Sequence, residues 1–284
     1  MSESAAGRAG RAEDRAENAA DKAEDSKLVQ WLGRFGDICY GIVHVIIAVL
    51  AVQVAFGGSS HEADQTGAVA AVAAQPFGVV VLWLMAAGLV AFGIWQLLCA
   101  GSGFEWVEDK GTRTTKRIGA GGRAVAVLVI AVTAMKLLVS GHDQSQNGKS
   151  RNATATLMSA TGGRVLVGIA ATAILVAAGV IAYRGIRKKF LSDLDTSRVS
   201  RATARWVEGL GMFGFVAKGV VYGIVGVLVL IAAITFDPKK AGGLDAALHT
   251  LAGQPFGVVL LVVVAMGLAA YGGYCFLEAR CRRG

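Results

Sequence analysis

Charge is what this chain has least of. Asp, Glu, Lys and Arg supply 17% of its 284 residues, where a soluble domain carries about 25%. With 54% hydrophobic residues and a mean hydropathy of +0.55, that shortage excludes an ordinary soluble domain. Cysteine is also scarce. Cys39, Cys99, Cys275 and Cys281 form no C-x-x-C pair, so neither a disulfide framework nor a thiolate metal cluster is expected. An apolar leader is missing: the first 27 residues are polar throughout, and the first span, near residue 36, reads as an uncleaved anchor. No P-loop, G-x-S-x-G, H-E-x-x-H or dinucleotide fingerprint occurs. The expectation is a protein that is not an enzyme and uses no cofactor and no metal.

What the chain does have is long apolar runs, at about 35–56, 77–100, 121–140, 163–184, 211–235 and 256–277. At 1.5 Å per residue, a run of about 20 residues crosses roughly 30 Å of hydrocarbon. Only helices satisfy every backbone polar group there without closing into a barrel. The predicted fold class is therefore all-α, a polytopic membrane protein of six transmembrane helices.

The runs repeat. Leu32-Gly33-Arg34-Phe35-Gly36 matches Leu210-Gly211-Met212-Phe213-Gly214, and Gln75-Pro76-Phe77-Gly78 matches Gln254-Pro255-Phe256-Gly257. A weaker copy lies between. This divides the chain into a charged tail (1–30), disordered or weakly helical, and repeats at 31–100, 115–191 and 206–280, the middle one divergent. Each repeat crosses twice and returns to its starting side. The three hairpins are therefore parallel, related by a pseudo-three-fold axis along the membrane normal if they close into a ring.

A net charge of +8 invites a nucleic-acid reading. That reading fails because the basic residues flank the apolar runs. Residues 1–34, the 101–123 and 184–205 connections and the C-terminus hold 21 Lys and Arg, against 4 in the other three loops. The imbalance predicts a plasma-membrane protein with both termini cytoplasmic. The lipid bilayer is its expected partner, and nucleic acid is not.

Glycines open the odd spans and recur in the even ones. Helix association in lipid depends on close packing, which small residues permit, so Gly36, Gly41, Gly88, Gly93, Gly214, Gly219, Gly267 and Gly272 are read as helix-packing positions, with the odd spans packed centrally. The proline of Gln-Pro-Phe-Gly suits the first turn of a helix. Short stretches at 66–74, 153–160 and 244–252 read as amphipathic helices on the outer face, with Asp245 placed to cap the last.

With these features the chain resembles the bacterial membrane family known as domain of unknown function 1206, across roughly residues 30–280. The glycine-rich span starts, the two Gln-Pro-Phe-Gly motifs and the block from Arg184 to Leu194 carry the resemblance. It implies a two-helix unit present three times. These motifs concern packing and turns, so they imply no chemistry.

Ionisable residues inside spans are candidates for function. Aligning the copies puts Tyr40, Arg123 and Lys218 at one repeat position, and His44 and Tyr222 one turn deeper. They are read as a polar level near the cytoplasmic mouth, in contact with anionic headgroups or snorkelling to the interface. With no Asp or Glu at mid-span, a proton relay through His44 lacks a partner, and a helix-contact role is expected for it. His61, His142 and His249 fall in outer loops without repeat equivalence, so no metal site is expected. The reading is a structural or interaction protein that has anionic lipid headgroups as candidate partners. The alternative is a small-solute or ion transporter or channel built on the pseudo-three-fold axis.

Overall fold

The computed structural model describes residues 27–58, 61–101, 103, 109–140, 146–159, 162–194 and 201–281. The expectation for the 1–30 tail falls almost entirely outside them. Among the described residues there are nine α-helices and no β-strand. They are α1 (Lys27–Ala55), α2 (Gln65–Ala73), α3 (Gly78–Gly101), α4 (Lys110–Ser140), α5 (Gln146–Ser159), α6 (Gly163–Ile186), α7 (Arg201–Thr235), α8 (Leu244–Ala252) and α9 (Gly257–Cys281). Six of these, α1, α3, α4, α6, α7 and α9, are long and apolar enough to cross a membrane. The expected hairpins are α1–α3, α4–α6 and α7–α9, each with a short helix at its turn.

The Gln-Pro-Phe-Gly motif is a turn, and this corrects its sequence reading. Pro76 and Pro255 do not occupy a first helical turn, because α3 and α9 begin two residues later, at Gly78 and Gly257. Phe77 and Phe256 adopt left-handed backbone angles (φ 61 and 60) and are 84% exposed. The middle copy has Gly162 at this place, also left-handed (φ 76). Glycine adopts that conformation without strain, so copy two keeps the geometry without Pro or Phe. The glycine after it is fixed by contact: a Cβ on Gly78 would stand 2.8 Å from the Ala73 carbonyl oxygen.

The spans alternate odd and even around a ring. The widest seams join the even span of one repeat to the odd span of the next: α3 with α4, α6 with α7, and α9 with α1. Seams inside a repeat come next, α1 with α3 and α7 with α9. The glycines of the odd spans act mainly against even spans, because every extensive seam pairs an odd span with an even one.

All eight named glycines lie on these seams. Gly36 and Gly88 join α1 to α3, where a Cβ on Gly36 would sit 2.5 Å from the Gly88 oxygen. Gly214 and Gly267 do the same for α7 and α9. Gly41 and Gly272 face each other between α1 and α9, each with its Cβ direction blocked by the other's carbonyl oxygen at 2.9 and 2.7 Å. Gly219 approaches Ala178 and Ala182 on α6, and Gly93 approaches Leu128 on α4. Such proximity gives helices in lipid the dispersion contact that hydrophobic burial cannot supply there.

One seam of the ring is open. The two spans of the middle hairpin, α4 and α6, barely touch. Gly119, the counterpart of Gly36 and Gly214, is exposed.

Candidate functional site

The position that aligns Tyr40, Arg123 and Lys218 sends all three side chains into the ring, where they meet the last span. Lys218 is 8% exposed and Tyr40 3%. The Lys218 ammonium donates to the Tyr40 hydroxyl at 2.9 Å and lies 4.0 Å from the centre of the Tyr271 ring. The Tyr40 and Tyr222 rings stand 5.1 and 6.0 Å from the same nitrogen, so three aromatic faces surround one cation. A desolvated ammonium over an aromatic face gains about 2 kcal/mol.

Arg123 completes the level from α4. Its Nη2 donates to the Tyr271 hydroxyl at 3.3 Å, and its Nη1 to Glu278 at 3.2 Å in an ion pair. Glu278 is 4% exposed. Asp37, fully buried on α1, lies within electrostatic reach of the same guanidinium. His44 donates from Nδ1 to the Tyr40 carbonyl oxygen, 2.9 Å away, and packs its ring 4.8 Å from that of Tyr271.

These distances change the reading of the level. Lys218 points inward among tyrosines, and at 8% exposure it does not reach a headgroup. Arg123, half-buried, turns toward Glu278. Snorkelling fails for Lys218 because the aromatic cage and the Tyr40 hydroxyl replace the solvation that an interface would offer.

Sequence reasoning missed Tyr271 as the hub and Glu278 as the counter-charge. The repeat alignment equates Tyr271 with Phe92, which hides its hydroxyl behind an apolar counterpart. Glu278 sits near the end of α9 beside arginines, outside the central part of the span where ionisable residues stand out. The signal available was its spacing of seven from Tyr271, two helical turns along one face.

A second polar junction lies at the other end of the bundle, where the first turns of the three short helices meet. Asp245 does not cap its own helix. That N-cap is Gly243, without a side-chain bond. One Asp245 carboxylate oxygen accepts from the Ala63 amide at 2.8 Å and the other from the Asn147 side-chain amide at 3.0 Å. The Asn147 oxygen in turn accepts from the Gly243 amide at 2.8 Å. The entrances to α2, α5 and α8, one from each repeat, are thus tied together through two side chains. Asp64 caps α2 by accepting from the Gly67 amide at 2.8 Å.

Asp64 makes this junction sensitive to pH. Burial, with Glu62 and Asp245 nearby, raises its carboxyl to about 7 against the opposing Gly67 hydrogen bond. An unfolded Asp ionises near 4. The stability that the neutral carboxyl contributes is therefore fully present below about pH 4 and is lost as pH rises through about 7. The melting temperature of the detergent-solubilised protein is expected to fall from pH 5 to pH 8. Asp64→Asn keeps the cap acceptor without the charge and is expected to flatten that fall. An unchanged slope in the variant would assign it to other groups.

His249 pairs with Asp245 at 3.3 Å within α8, and His142 lies outside the described residues. Among the described residues, no three His, Cys, Asp or Glu side chains are placed to hold a metal. The four cysteines are buried.

Six apolar crossing helices in three tandem hairpins define a multi-pass α-helical membrane protein with internal repeats. The family described as Domain of Unknown Function (DUF1206) matches residues 35–103, 118–188 and 213–282, one match per hairpin, and the chain belongs to that family. It is also similar to "Uncharacterized protein YxxB" of Bacillus subtilis (strain 168), 28% identical over 258 residues that cover 90% of this chain and 92% of the relative. No solved structure matches.

Proposed function

We propose that the protein translocates protons or a small ion, with the Tyr40–Lys218–Tyr271–Arg123–Glu278 network as its charge-handling centre. The observation that supports this most is the convergence of repeat-equivalent side chains from all three odd spans on one tyrosine. Burying ionised groups among crossing helices costs several kcal/mol per ion, and such groups mark ion and proton pathways. Glu278, Tyr271, Lys218, Tyr40 and His44 supply titratable groups close together, with Arg123 as a fixed positive charge between Glu278 and the Tyr271 hydroxyl.

The test is proton flux into proteoliposomes under an imposed potential, read with an enclosed pH-sensitive dye. Wild-type protein is expected to raise the flux at least tenfold over empty vesicles. Lys218→Met, which keeps the length and apolar volume of the stem, is expected to abolish the rise. Flux at the empty-vesicle level for wild type, with potassium or chloride replacing protons as well, overturns the proposal.

A second reading, a structural or interaction protein, draws on the glycine seams and on the network's internal pairing. In that case Lys218→Met changes melting temperature and leaves ion flux untouched.

Both readings place the protein in the plasma membrane with its termini in the cytoplasm, on the strength of the Lys and Arg imbalance. Reporter fusions at residues 60, 145 and 240 are expected to read outside, and fusions at 110, 190 and 284 inside. One outer fusion reading inside breaks this topology.

A further inference from the structure

We infer that the open seam between α4 and α6 seats one anionic phospholipid, its phosphate at the basic end of the seam and an acyl chain between the helices. The inference is independent of translocation.

Pseudo-symmetry shows that the seam is a real departure in this fold. In copy one, Gly36, Cys39 and Val43 of the odd span are buried, the first two against the even span, and in copy three Gly214, Ala217 and Val221 are buried, again the first two against the even span. The counterparts on α4 are Gly119, Gly122 and Ala126, and all three are exposed. From the even side, Phe92 and Tyr271 fill the corresponding space and are 0% and 1% exposed. Their counterpart on α6 is Ala177, which is exposed, as is Ala173, the counterpart of Gly88 and Gly267. Copy two therefore lacks the large side chain that closes this seam elsewhere, and its spans stand apart.

The chemistry of the mouth selects the occupant. Residues 110–119 carry four basic side chains and no acidic one, and residues 184–193 carry four basic side chains and one acidic, Asp193. Two contacts draw these segments together over the seam: the Lys116 ammonium donates to the Ser192 hydroxyl at 3.1 Å, and Arg184 reaches to within 3.5 Å of the place where a Cβ on Gly119 would stand. Lys189 lies 4.8 Å from the ring centre of half-exposed Tyr183. An apolar groove leading from a cluster of cations matches a phosphate-headed lipid with a hydrocarbon tail. Basic residues near an anionic membrane surface are attracted to it within a Debye length of about 10 Å. A second protein copy or a foreign helix would bring no phosphate to this mouth.

Retention of phosphatidylglycerol and of phosphatidylcholine would be compared by native mass spectrometry after purification of the full chain in detergent. Two variants separate groove from charge. Ala173→Leu with Ala177→Phe fills the seam: phenylalanine is what copy one carries at the second position, and leucine adds bulk at the first, where the other copies have glycine. It is expected to lower bound phosphatidylglycerol at least fivefold without lowering the melting temperature. Arg184→Gln with Lys116→Gln leaves the groove and is expected to erase the preference for phosphatidylglycerol over phosphatidylcholine. Wild-type retention and headgroup preference in the charge variant overturn the inference, whether or not the filled variant folds. So does a wild-type dimer that the filled variant converts to monomer, since the groove then holds a second copy.

Discussion

Gly36→Leu and Gly214→Leu are expected to prevent assembly of the bundle. At Gly36 the new Cβ would stand 2.5 Å from the Gly88 carbonyl oxygen, and at Gly214 it would stand 2.6 Å from both the Cα and the amide nitrogen of Tyr271. Those are backbone atoms of a packed helix, so no rotamer change relieves the collision and the helices must separate. Overfilling a core with side chains alone costs about 1–3 kcal/mol. A collision with backbone exceeds that range, and in lipid it removes the close contact that supplies most of the association energy. Gly122→Leu is the control, since a Cβ there meets nothing within 4 Å. The expected result is loss of the monodisperse peak on gel filtration for both seam variants, with normal yield and melting temperature for Gly122→Leu. Equal behaviour of all three would remove the glycine seams as the source of stability.

The second large effect is expected at the ion pair. Glu278→Gln leaves the Arg123 guanidinium among helices with a neutral amide where its counter-charge stood. Removing one partner of a buried pair costs about 3–5 kcal/mol, whereas replacing both by apolar groups is often neutral. The side chains of Arg123 and Glu278 are 22% and 6% exposed, which puts the expected loss near the lower end of that range. The double variant Arg123→Met with Glu278→Met is expected to recover most of the stability. Measured together with proton flux, this cycle separates the two readings of the network. Recovered stability without recovered flux assigns the pair to charge transfer. Recovery of both assigns the pair to packing, and Arg123 and Glu278 then drop out of the charge-handling centre.

The architecture was legible because lipid leaves so few solutions. Once six apolar runs repeat as Gly36 with Gly214 and as Gln75-Pro76-Phe77-Gly78 with Gln254-Pro255-Phe256-Gly257, helices in three hairpins follow from backbone satisfaction alone. The alignment of Tyr40, Arg123 and Lys218 was equally legible, because repeat position translates directly into depth. What those side chains face was not. Direction around a helix axis depends on which neighbours close the seam, and the pairing of α9 with α1 spans nearly the whole chain. Glu278 thus drew no reading at all and Lys218 read as a candidate for the interface, although both are buried. Asp245 has the ordinary place of a helix cap, yet its oxygens serve Ala63 and Asn147 from two other repeats. The open seam was invisible for the same reason: Ala177 is unremarkable until Phe92 and Tyr271 show what belongs there.

The seam between α9 and α1 also sets the order in which the molecule can be made. The main partner of the first span is the last span, which leaves the ribosome roughly 200 residues later. At about 5–20 residues per second, that is a delay on the order of 10–40 s. Throughout it, α1 carries Asp37, Tyr40 and His44 on a face that has neither Tyr271 nor Lys218 to meet. A helix with a carboxylate and an imidazole on its bare side is a poor lipid-facing segment. Until ring closure, nascent α1 therefore depends on α3, or on a chaperoning surface of the insertion machinery, to stay in the bilayer.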